Sequence, residues 1–574
     1  MEEYRIGVYI CWCGTNIAMM VDVEAVVEEI KKLPNVTIAK DYKYMCSDPG
    51  QDLIVKDIKE HHLNRIVVAA CSPRMHEPTF RKALENAGLN PYFFEMANIR
   101  EQVSWVHTDR IEATRKAKGL VAGAVKRVVH HKALNKRYVD IHPATLIIGA
   151  GVAGMSAALE IADSGQKVHL VEQCNQLGGM VRKVDLNYPY LNSSRQTISQ
   201  LIKNTEEHPD IQIYTESKID KISGYIGNFR ALLSNHQEQR ELEFGNILIA
   251  TGLKSFDPSI IENYGYKRIP NVITSADFEK MLYSGLIHCE NGKEPGNIAI
   301  IHCVGSRNEN YHPYCSRTCC MTALKYINQI SSAAPECNIY DIYADMRAIG
   351  KDCEELYAST SKKNVMFLMF DQQHDLPVIK QNGNGKTVSI EFTELLSGES
   401  IHIQANMVVL MTAVESQANN KEIAHLAGIS TDKNGFFIEK HPKLDPVATT
   451  TEGVYIAGTC QSPKDIPDSI VQAKAAAARI LATIAKGKVQ VEVTTAQVNE
   501  DICCGCQCCA SVCPYSAISY NEDKKVSEVN EILCKGCGTC ASACPSGAIV
   551  SKHFTDNQIL SQITGVLEMQ IETA

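Results

Sequence analysis

A glycine-rich turn between an apolar strand and an alanine-rich helix constrains the fold of this chain most strongly. Residues 145–180 read TLIIGAGVAGMSAALEIADSGQKVHLVEQCNQLGGM, with Gly149, Gly151 and Gly154 directly after an apolar run. Such glycines allow a tight turn, a close approach of the backbone to a pyrophosphate and close packing of helix on strand, while the helix N-terminus favours phosphate. A second predicted strand ends at Glu172, whose carboxylate can accept hydrogen bonds from a ribose diol. The stretch therefore predicts an α/β domain that binds a dinucleotide.

Two later motifs indicate that this dinucleotide is FAD. Leu248–Gly252, LIATG, resembles the strand-end motif of flavoproteins that bind two dinucleotides, and Val454–Thr459, VYIAGT, resembles their second flavin-contacting strand. A helix from about Asp468 is expected to follow. The resemblance implies a thioredoxin-reductase-like fold of two α/β lobes, with the FAD domain divided around an insert. Thr459-Cys460 replaces the acidic residue usual after the last glycine, so the ribityl contacts depart from the pattern. The expected FAD contacts are Gly149, Ala150, Gly151, Ala153, Gly154, Glu172, Gly179, Met180, Thr251, Gly252, Gly458, Asp465 and Ile466.

Size and composition indicate a large redox or metal protein. A chain of 574 residues predicts about three to five domains. The net charge of −9 is modest and argues against nucleic-acid binding. The sequence shows neither a basic, apolar leader nor a run of about 18 apolar residues, so we expect a cytoplasmic protein without a membrane span. Its 23 cysteines favour metal or redox chemistry over a disulfide framework in that setting.

The C-terminal cysteines repeat the spacing of a bacterial ferredoxin with two four-iron clusters. Cys503-x-x-Cys506-x-x-Cys509-x-x-x-Cys513-Pro is followed by Cys534-x-x-Cys537-x-x-Cys540-x-x-x-Cys544-Pro. In such domains the fourth cysteine of each run binds the other cluster. The expected ligands are Cys503, Cys506, Cys509 and Cys544 for the first cluster, and Cys534, Cys537, Cys540 and Cys513 for the second. Cys504 and Cys508 fall outside the spacing and are expected to be bystanders.

A further cysteine group stands where a pyridine-nucleotide flavoprotein carries its second glycine motif. The predicted strand Asn297–Ile301 leads into His302-Cys303-Val-Gly-Ser-Arg307, and Cys315-Ser-Arg-Thr-Cys319-Cys320 closes the loop before a predicted helix over 321–330. The four thiolates of Cys303, Cys315, Cys319 and Cys320 could hold a four-iron cluster in place of a nicotinamide; four incidental cysteines are the alternative. The scattered Cys174, Cys289, Cys337 and Cys353 are expected to be packing residues.

The first 135 residues predict a small α/β domain with another candidate cluster. Arg5–Ile10 and Arg65–Ala70 have strand patterns, and residues 23–32, 52–60 and 77–86 have helical periodicity, followed by a basic helical segment over 109–136. Loops at the strand ends of one sheet can converge, so one cluster could bind Cys11, Cys13, Cys46 and Cys71. The spacing is equally compatible with two of these cysteines serving only in packing.

The predicted domains follow the chain in order. They are an N-terminal α/β domain (1–135), an FAD domain in two parts (136–290 and 446–490), a second Rossmann-like lobe (291–445) and a ferredoxin domain (491–574). Residues 183–245 predict an α/β insert with surface hairpins. Strands are predicted over 338–344, 365–370 and 407–411, a hairpin around 382–385, an alanine-rich helix over 474–485, and a polar linker over 486–499.

Together these motifs closely resemble the A subunits of heterodisulfide reductases. The marks are Cys11-Trp-Cys13-Gly-Thr-Asn-Ile, Cys46-Ser-Asp, Cys71-Ser-Pro-Arg-x-His-Glu, the Cys303–Cys320 loop and Gly458-Thr-Cys-Gln-x-Pro-Lys-Asp-Ile-Pro-Asp468. The resemblance covers nearly the whole chain, ending near Val550. It implies FAD and four [4Fe-4S] clusters, including one in the N-terminal domain and one on the cysteine loop. Longer members insert a second ferredoxin module, which the cysteine-free 183–245 region indicates is absent here.

The resemblance implies flavin-based electron bifurcation within a heterodisulfide-reductase-type complex. Electron pairs from a two-electron donor would be divided between a disulfide-reducing partner and ferredoxin. Implied partners are the other subunits, an electron-input module such as a hydrogenase or formate dehydrogenase, and a second copy within a larger assembly. The heterodisulfide site would lie on a partner subunit. The family's lysine near the flavin corresponds to Lys325, a catalytic residue expected to tune the reduced flavin by its charge; a solvated helix lysine is the alternative.

Two other functions are held against this one. The first is an NAD(P)H-dependent ferredoxin reductase, which the missing second glycine motif disfavours. The second is a subunit whose flavin only relays electrons. Thiol–disulfide exchange is disfavoured because Cys-x-x-Cys occurs only in the ferredoxin tail.

The cysteine pattern predicts the metal and flavin content of the protein after anaerobic purification. We expect one FAD and about sixteen irons per chain, measured with acid-labile sulfide, because sixteen cysteines form four sets of four. About twelve irons would leave one of the two less regular sites empty. About eight would confine iron to the ferredoxin tail and contradict the cluster on the central loop.

Overall fold

The computed structural model describes residues 3–235, 238–285, 287, 295–383 and 385–571, which form two compact units. The first unit contains the described residues of 1–138 and 490–574, so the N-terminal and ferredoxin segments share one unit. The second unit spans 139–489. Cys289, the predicted domain boundary at 290–291 and Asn384 of the predicted hairpin lie outside the described residues. In the described part of the chain, every helix is too short or too polar to cross a membrane.

A four-stranded parallel sheet forms the N-terminal part of the first unit. Its elements are β1 (Ile6–Cys11), α1 (Val23–Ile30), β2 (Val36–Tyr42), α2 (Asp48–Glu60), β3 (Arg65–Ala70), α3 (Pro73–Asn86), β4 (Phe94–Asn98) and α4 (Arg110–Val128). The strand order is β2-β1-β3-β4. β1 and β3 are buried along their whole length, as expected for central parallel strands covered on both faces. The sequence pattern missed β2 and β4, whose partly exposed positions and polar residues interrupt the apolar runs.

The second unit contains two lobes with the same arrangement of sheets. Its strands are β5 (Arg137–Asp140, at its start), β6 (Thr145–Ile148), β7 (Val168–Val171), β8 (Leu186–Asn187), β9 (Asn192–Ser193), β10 (Ile211–Tyr214), β11 (Lys218–Tyr225), β12 (Asn228–Ser234), β13 (Gln239–Phe244), β14 (Asn246–Ile249), β15 (Leu253–Ser255), β16 (Val272–Thr274), β17 (Asn297–Val304), β18 (Asn338–Tyr343), β19 (Val365–Met369), β20 (Val378–Gln381), β21 (Val388–Thr393), β22 (Ser400–Ala405), β23 (Met407–Thr412), β24 (Val414–Ser416) and β25 (Val454–Ile456). Its helices are α5 (Val152–Ala162), α6 (Ser194–Glu207), α7 (Ser275–Ser284), α8 (Cys319–Ala333), α9 (Cys353–Thr360), α10 (Asn420–Ala427) and α11 (Ile466–Ala485).

Each lobe of the second unit combines a five-stranded parallel sheet with a three-stranded antiparallel sheet. In the first lobe the parallel order is β10-β7-β6-β14-β25, accompanied by β11-β12-β13. In the second lobe it is β16-β23-β17-β18-β19, accompanied by β20-β21-β22. Because β25 returns to the first sheet after the second lobe is complete, the first lobe is divided around an insert. The predicted two-lobe α/β fold is confirmed.

The C-terminal part of the first unit is more ordered than the predicted linker and tail. Its elements are β26 (Lys488–Val491), β27 (Ala496–Val498), α12 (Cys508–Ser511), β28 (Ile518–Asn521), β29 (Val526–Val529), α13 (Thr539–Ala543), β30 (Ile549–Ser551) and α14 (Asp556–Ile571). The polar linker predicted over 486–499 is wrong, because β27 pairs with β30 and buries Ala496. α14 packs on α4 at Gly123 and Gly565, where an added Cβ would lie 2.8 and 2.7 Å from backbone oxygens of the other helix.

His131, which follows α4, and His553, which follows β30, form a buried pair. The His553 ring stacks on His131 with centroids 4.4 Å apart, and its Nε2 lies 2.9 Å from the carbonyl oxygen of Lys132. Arg127 also donates to the carbonyl oxygen of His553 at 2.8 Å. Burial, reinforced by His131, lowers the pKa of His553 to about 4. This imidazole is therefore neutral at pH 7 and donates from Nε2.

The buried His553 predicts acid sensitivity of the first unit. Because its folded-state pKa lies below the unfolded value of about 6.5, the unfolded chain binds the extra proton and stability falls as the pH drops from 7 to 5. We expect a loss of about 2 kcal/mol from this residue. Calorimetry should show a smaller pH dependence for His553→Gln, whose amide can keep the bond to Lys132. Equal pH dependence in both proteins would contradict this assignment.

Candidate functional site

The glycines after β6 serve two different purposes. An added Cβ at Gly154 would lie 1.9 Å from the carbonyl oxygen of Gly149, and one at Gly149 would lie 2.4 Å from that of Ala250. These two glycines are required by backbone packing. A Cβ at Gly151 would meet nothing within 4 Å among the described residues, although Gly151 is the N-cap of α5. Gly151 therefore borders open space at a helix N-terminus, which fits the pyrophosphate of a dinucleotide.

The acidic residue at the end of β7 is fixed by the backbone around it. Glu172 is buried, and its two carboxylate oxygens accept hydrogen bonds of 2.9 Å from the N–H groups of Ala150 and Cys174. Gly178 N–H donates to the carbonyl oxygen of Ala150 at 2.8 Å, which brings Gly179 against Gly151. The remaining lone pairs of Glu172 suit a ribose diol.

The other predicted FAD contacts lie at the same carboxyl edge of the sheet. Thr251 and Gly252 follow β14, and Thr251 Oγ1 donates to Asn420 Oδ1 at 2.9 Å. Gly458 follows β25 with a φ of 78°, and its N–H donates to Gln472 Oε1 at 2.8 Å. α11 begins at Ile466, slightly before the expected start near Asp468, with Asp465 as its N-cap. Met180 and Ala153 belong to the turn after Gly178 and to α5. The structure thus brings the predicted residues to one edge.

The cysteines of the central loop converge in the second lobe. β17 shifts register between Ile301 and Val304, and Cys303 there has a φ of 57°. Burial, together with the nearby thiols of Cys320 and Cys315, raises the pKa of the Cys303 thiol to about 12. Burial and the neighbouring thiols of Cys303, Cys320 and Cys315 raise the pKa of Cys319. Because α8 begins at Cys319, the two adjacent cysteines stand at a loop-to-helix junction and both reach the group.

Charged residues missed by the sequence reasoning surround this loop. Arg307 is ion-paired with Asp345, and Arg347 Nε lies 3.3 Å from the same carboxylate. His302 Nε2 lies 2.8 Å from Asp341, and both side chains are fully buried. Local sequence patterns do not predict the His302–Asp341 and Arg307–Asp345 pairs, because each pair joins residues about forty positions apart.

The N-terminal cysteines also converge, at the carboxyl edge of their sheet. Cys11 ends β1, Cys71 follows β3, and Cys46 lies in the turn after β2. Cys11 Sγ accepts hydrogen bonds from the N–H groups of Cys13 and Met45 at 3.3 and 3.4 Å. Burial raises the pKa of Cys71 to about 12, with further contributions from Cys13 and Cys11. β1 and β3 flank the point where the strand order reverses, a usual position for ligand sites in open α/β sheets.

In the ferredoxin segment, the crossed cysteine lies with its predicted group. Burial raises the pKa of Cys540 to about 11, and the contributing thiols include Cys534, Cys537 and Cys513. Those four residues line one cavity. Backbone N–H groups of Ala517 and Ala496 donate to the sulfurs of Cys513 and Cys534 at 3.3 and 3.4 Å. Of the other set, Cys509 is buried, Cys503 and Cys544 are half-buried and Cys506 is exposed, as are the expected bystanders Cys504 and Cys508.

Lys325 is buried, so the alternative of a solvated helix lysine is wrong. Its Nζ donates to both oxygens of Glu279 on α7, at 2.7 and 2.9 Å. Glu279 also accepts from the N–H of Asp185 at 2.7 Å, which ties α7 and α8 to the segment after the Gly179–Lys183 turn. Burial lowers the pKa of Lys325, and the Glu279 carboxylate opposes that shift. Glu279 could have been noticed from its place beside Phe278 and Leu282 on the apolar face of α7.

The two roles of the glycines predict different effects of two alanine substitutions. Gly151→Ala should leave the fold intact, because its φ of −76° suits alanine, but should weaken FAD binding about tenfold, equivalent to about 1.4 kcal/mol. Gly154→Ala should instead lower the free energy of unfolding by about 3 kcal/mol through overpacking. FAD titration of the apoprotein and thermal unfolding would separate these effects. Unchanged FAD affinity in Gly151→Ala would contradict the pyrophosphate position.

Comparison with protein-family models identifies two domains. Residues 143–283 match the pyridine nucleotide-disulphide oxidoreductase family, and residues 527–550 match the 4Fe-4S binding domain. The chain therefore contains an FAD-type oxidoreductase domain and an iron–sulfur domain. Thioredoxin reductase from T. acidophilum covers 59% of this chain with 16% identity and a TM-score of 0.41.

Similarity to curated proteins extends over the whole chain. One of the iron-sulfur A subunits of CoB--CoM heterodisulfide reductase from Methanopyrus kandleri is 37% identical over 664 aligned positions, covering 100% of this chain and 99% of that protein. Among A subunits of H(2):CoB-CoM heterodisulfide,ferredoxin reductases, that of Methanothermobacter marburgensis is 39% identical, covering 99% and 98%. Similarity therefore continues past Val550, where the recognisable motifs end. Since 664 positions exceed the 574 residues of this chain, the first relative contains segments absent here. By this full-length identity, the chain belongs to the family of heterodisulfide reductase A subunits.

Proposed function

We propose that this iron–sulfur flavoprotein subunit carries out flavin-based electron bifurcation in a heterodisulfide-reductase-type complex. The observation that carries the proposal is the position of the cysteine loop against the flavin-type site. Arg317, between Cys315 and Cys319, is ion-paired at 2.8 Å with Asp468 in the first turn of α11. That helix begins at Ile466 after its N-cap Asp465, and both residues are expected FAD contacts. A one-electron carrier on the loop would thus adjoin a two-electron carrier.

The residues of the chain suit this pair of carriers. FAD, when bound, accepts electron pairs and releases single electrons, and four-iron clusters each accept one, over potentials of about −700 to +450 mV. The N-terminus of α5 and Glu172 would hold the pyrophosphate and the ribose. Cys303, Cys315, Cys319 and Cys320 would bind a cluster where the second lobe of a pyridine-nucleotide enzyme has its glycine motif. This replacement disfavours a self-contained NAD(P)H-dependent reductase.

The buried ion pair holds an ammonium group in a fixed place, and the flavin site can use its field. Lys325 and Glu279 are 2% and 7% exposed, so solvent screens their field little. Through Asp185, the pair is joined to the chain directly after the Gly179–Lys183 turn, and that turn contains Gly179 and Met180. We assign Lys325 the catalytic role of stabilising negative charge on the reduced flavin, and Glu279 the role of holding its ammonium group in position.

The names of the relatives indicate the electron partners to test. They include reductases of the CoB-CoM heterodisulfide that use H(2) or formate and ferredoxin. We propose that this chain likewise receives electron pairs from an input module, passes one electron to a disulfide-reducing partner and the other to ferredoxin, and works as a dimer within a larger cytoplasmic assembly. The N-terminal and ferredoxin cysteine sets would each conduct single electrons to or from these partners.

Bifurcation predicts crossed one-electron potentials of the flavin. In a spectroelectrochemical titration of the anaerobically purified chain, the second electron should enter FAD at a higher potential than the first. The normal order would contradict bifurcation and support the relay function. Tight NADH binding by the isolated chain would instead support the reductase alternative.

The buried Lys325–Glu279 pair predicts a change in flavin potential that removal of a surface charge does not reproduce. Lys325→Met alone should cost about 3–5 kcal/mol of stability because it leaves Glu279 buried and unpaired. The double variant Lys325→Met/Glu279→Gln should fold and bind FAD, yet its flavin should be reduced at a lower potential than in the wild type. Lys280→Met is the matched control, because Lys280 lies on α7 but is exposed and paired with Asp277. Equal potentials in the wild type, the double variant and the control would contradict the catalytic role of Lys325.

A further inference from the structure

Arg100 places a guanidinium against the N-terminal cysteine group. It begins the π-helical turn Arg100–Ser104 after β4, and its Nη1 donates a 3.5 Å hydrogen bond to Cys13 Sγ. The same cation acts on the thiols of Cys46 and Cys71, where it opposes the larger effect of burial on the pKa of each. One positive charge is therefore hydrogen-bonded to one of the four sulfurs and acts electrostatically on two others.

Neighbouring residues hold this guanidinium in one orientation. Glu101 Oε1 accepts from its Nη2 and Nε at 2.7 and 3.1 Å, which leaves Nη1 directed at sulfur. The Trp105 ring centroid lies 4.8 Å from its central carbon. Asn98 Oδ1 accepts from the N–H groups of Arg100 and Glu101 at 3.3 and 3.1 Å, which fixes the turn itself. With 22% of its side chain exposed, Arg100 is partly shielded from solvent.

We propose that Arg100 is a positioning residue that raises the reduction potential of the cluster at Cys11, Cys13, Cys46 and Cys71. The inference rests on the proposed function, which places a four-iron cluster there. Reduction adds one electron, supplied by the donor of the complex, and makes the cluster and its thiolates more negative. A fixed cation that is hydrogen-bonded to a ligand stabilises this reduced state more than the oxidised one. Arg100 thus makes this cluster easier to reduce.

The test is a redox titration of the full-length chain, monitored by EPR with dithionite as reductant. The signal of the N-terminal cluster is the one that Cys71→Ala removes. Arg100→Gln should shift its midpoint to lower potential and leave the other signals in place. Arg100→Lys should shift it less, because an ammonium keeps the charge but loses the planar fork. Arg115→Gln is the matched control, since Arg115 is ion-paired with Glu112 on the surface of α4 in the same unit.

The outcomes separate this inference from the proposed cluster. An unshifted midpoint in Arg100→Gln, with iron content retained, overturns the role of Arg100 alone. An equal shift in Arg115→Gln also overturns it, because the effect would then be one of net charge. If Arg100→Gln loses iron, the midpoint of Arg100→Met, which also removes the charge, decides, and an unshifted value overturns the inference. If Cys71→Ala loses no iron and no signal relative to the wild type, the ligand set itself is wrong.

Discussion

Groups of thiols buried together, whose burial outweighs the effect of the arginines beside them, set the terms for the rest of this structure. Burial, together with the neighbouring thiols, raises the pKa of Cys71 and of Cys303 to about 12. A thiolate in either group is therefore costly until a cation neutralises it, and metal ions supply that charge most effectively. Four thiols in such a pocket contribute little apolar packing, and fewer, larger side chains could provide the same packing. Iron binding would therefore stabilise these loops together with the folded chain.

The two lobes of the second unit show how one arrangement of sheets supports different chemistry. Both have a five-stranded parallel sheet, and in both the decisive turn follows a buried strand. After β6, Gly149 and Gly154 allow the backbone to pack closely, and Gly151 leaves room for phosphate beside the N-terminus of α5. After β17, Cys303 has a left-handed backbone, and the following loop returns to α8 with two cysteines at the helix start. The strands fix the position of both turns, while the turn residues decide what binds there.

The features predicted from the sequence are local ones. Glycine spacing at 149–154 and the two cysteine runs after 503 identify their structures because a few consecutive residues form each turn. Residues that act across the fold have no such pattern. Glu279 reaches Lys325 from 46 positions away, and Arg100 reaches Cys13 from 87. Their pairing depends on how α7 meets α8 and on how β4 is placed relative to β1, which only the folded sheets determine. The N-terminal cysteines are an intermediate case: the predicted strand ends made their convergence possible, while the packing-only alternative remained open until the sheet was known.

The first unit shows that the ends of the chain are not independent modules. Met569 of α14 belongs to the same apolar core as Ala117 and Val121 of α4, so the last helix completes the N-terminal domain. Close approach of these helices depends on Gly123 and Gly565. Neither glycine belongs to a cysteine motif or a cofactor motif. The segment that holds the ferredoxin cysteines is thereby tied to the domain that holds Cys11 and Cys71. Because both cysteine sets lie in one compact unit, their relative position is determined by packing within that unit and not by a flexible linker.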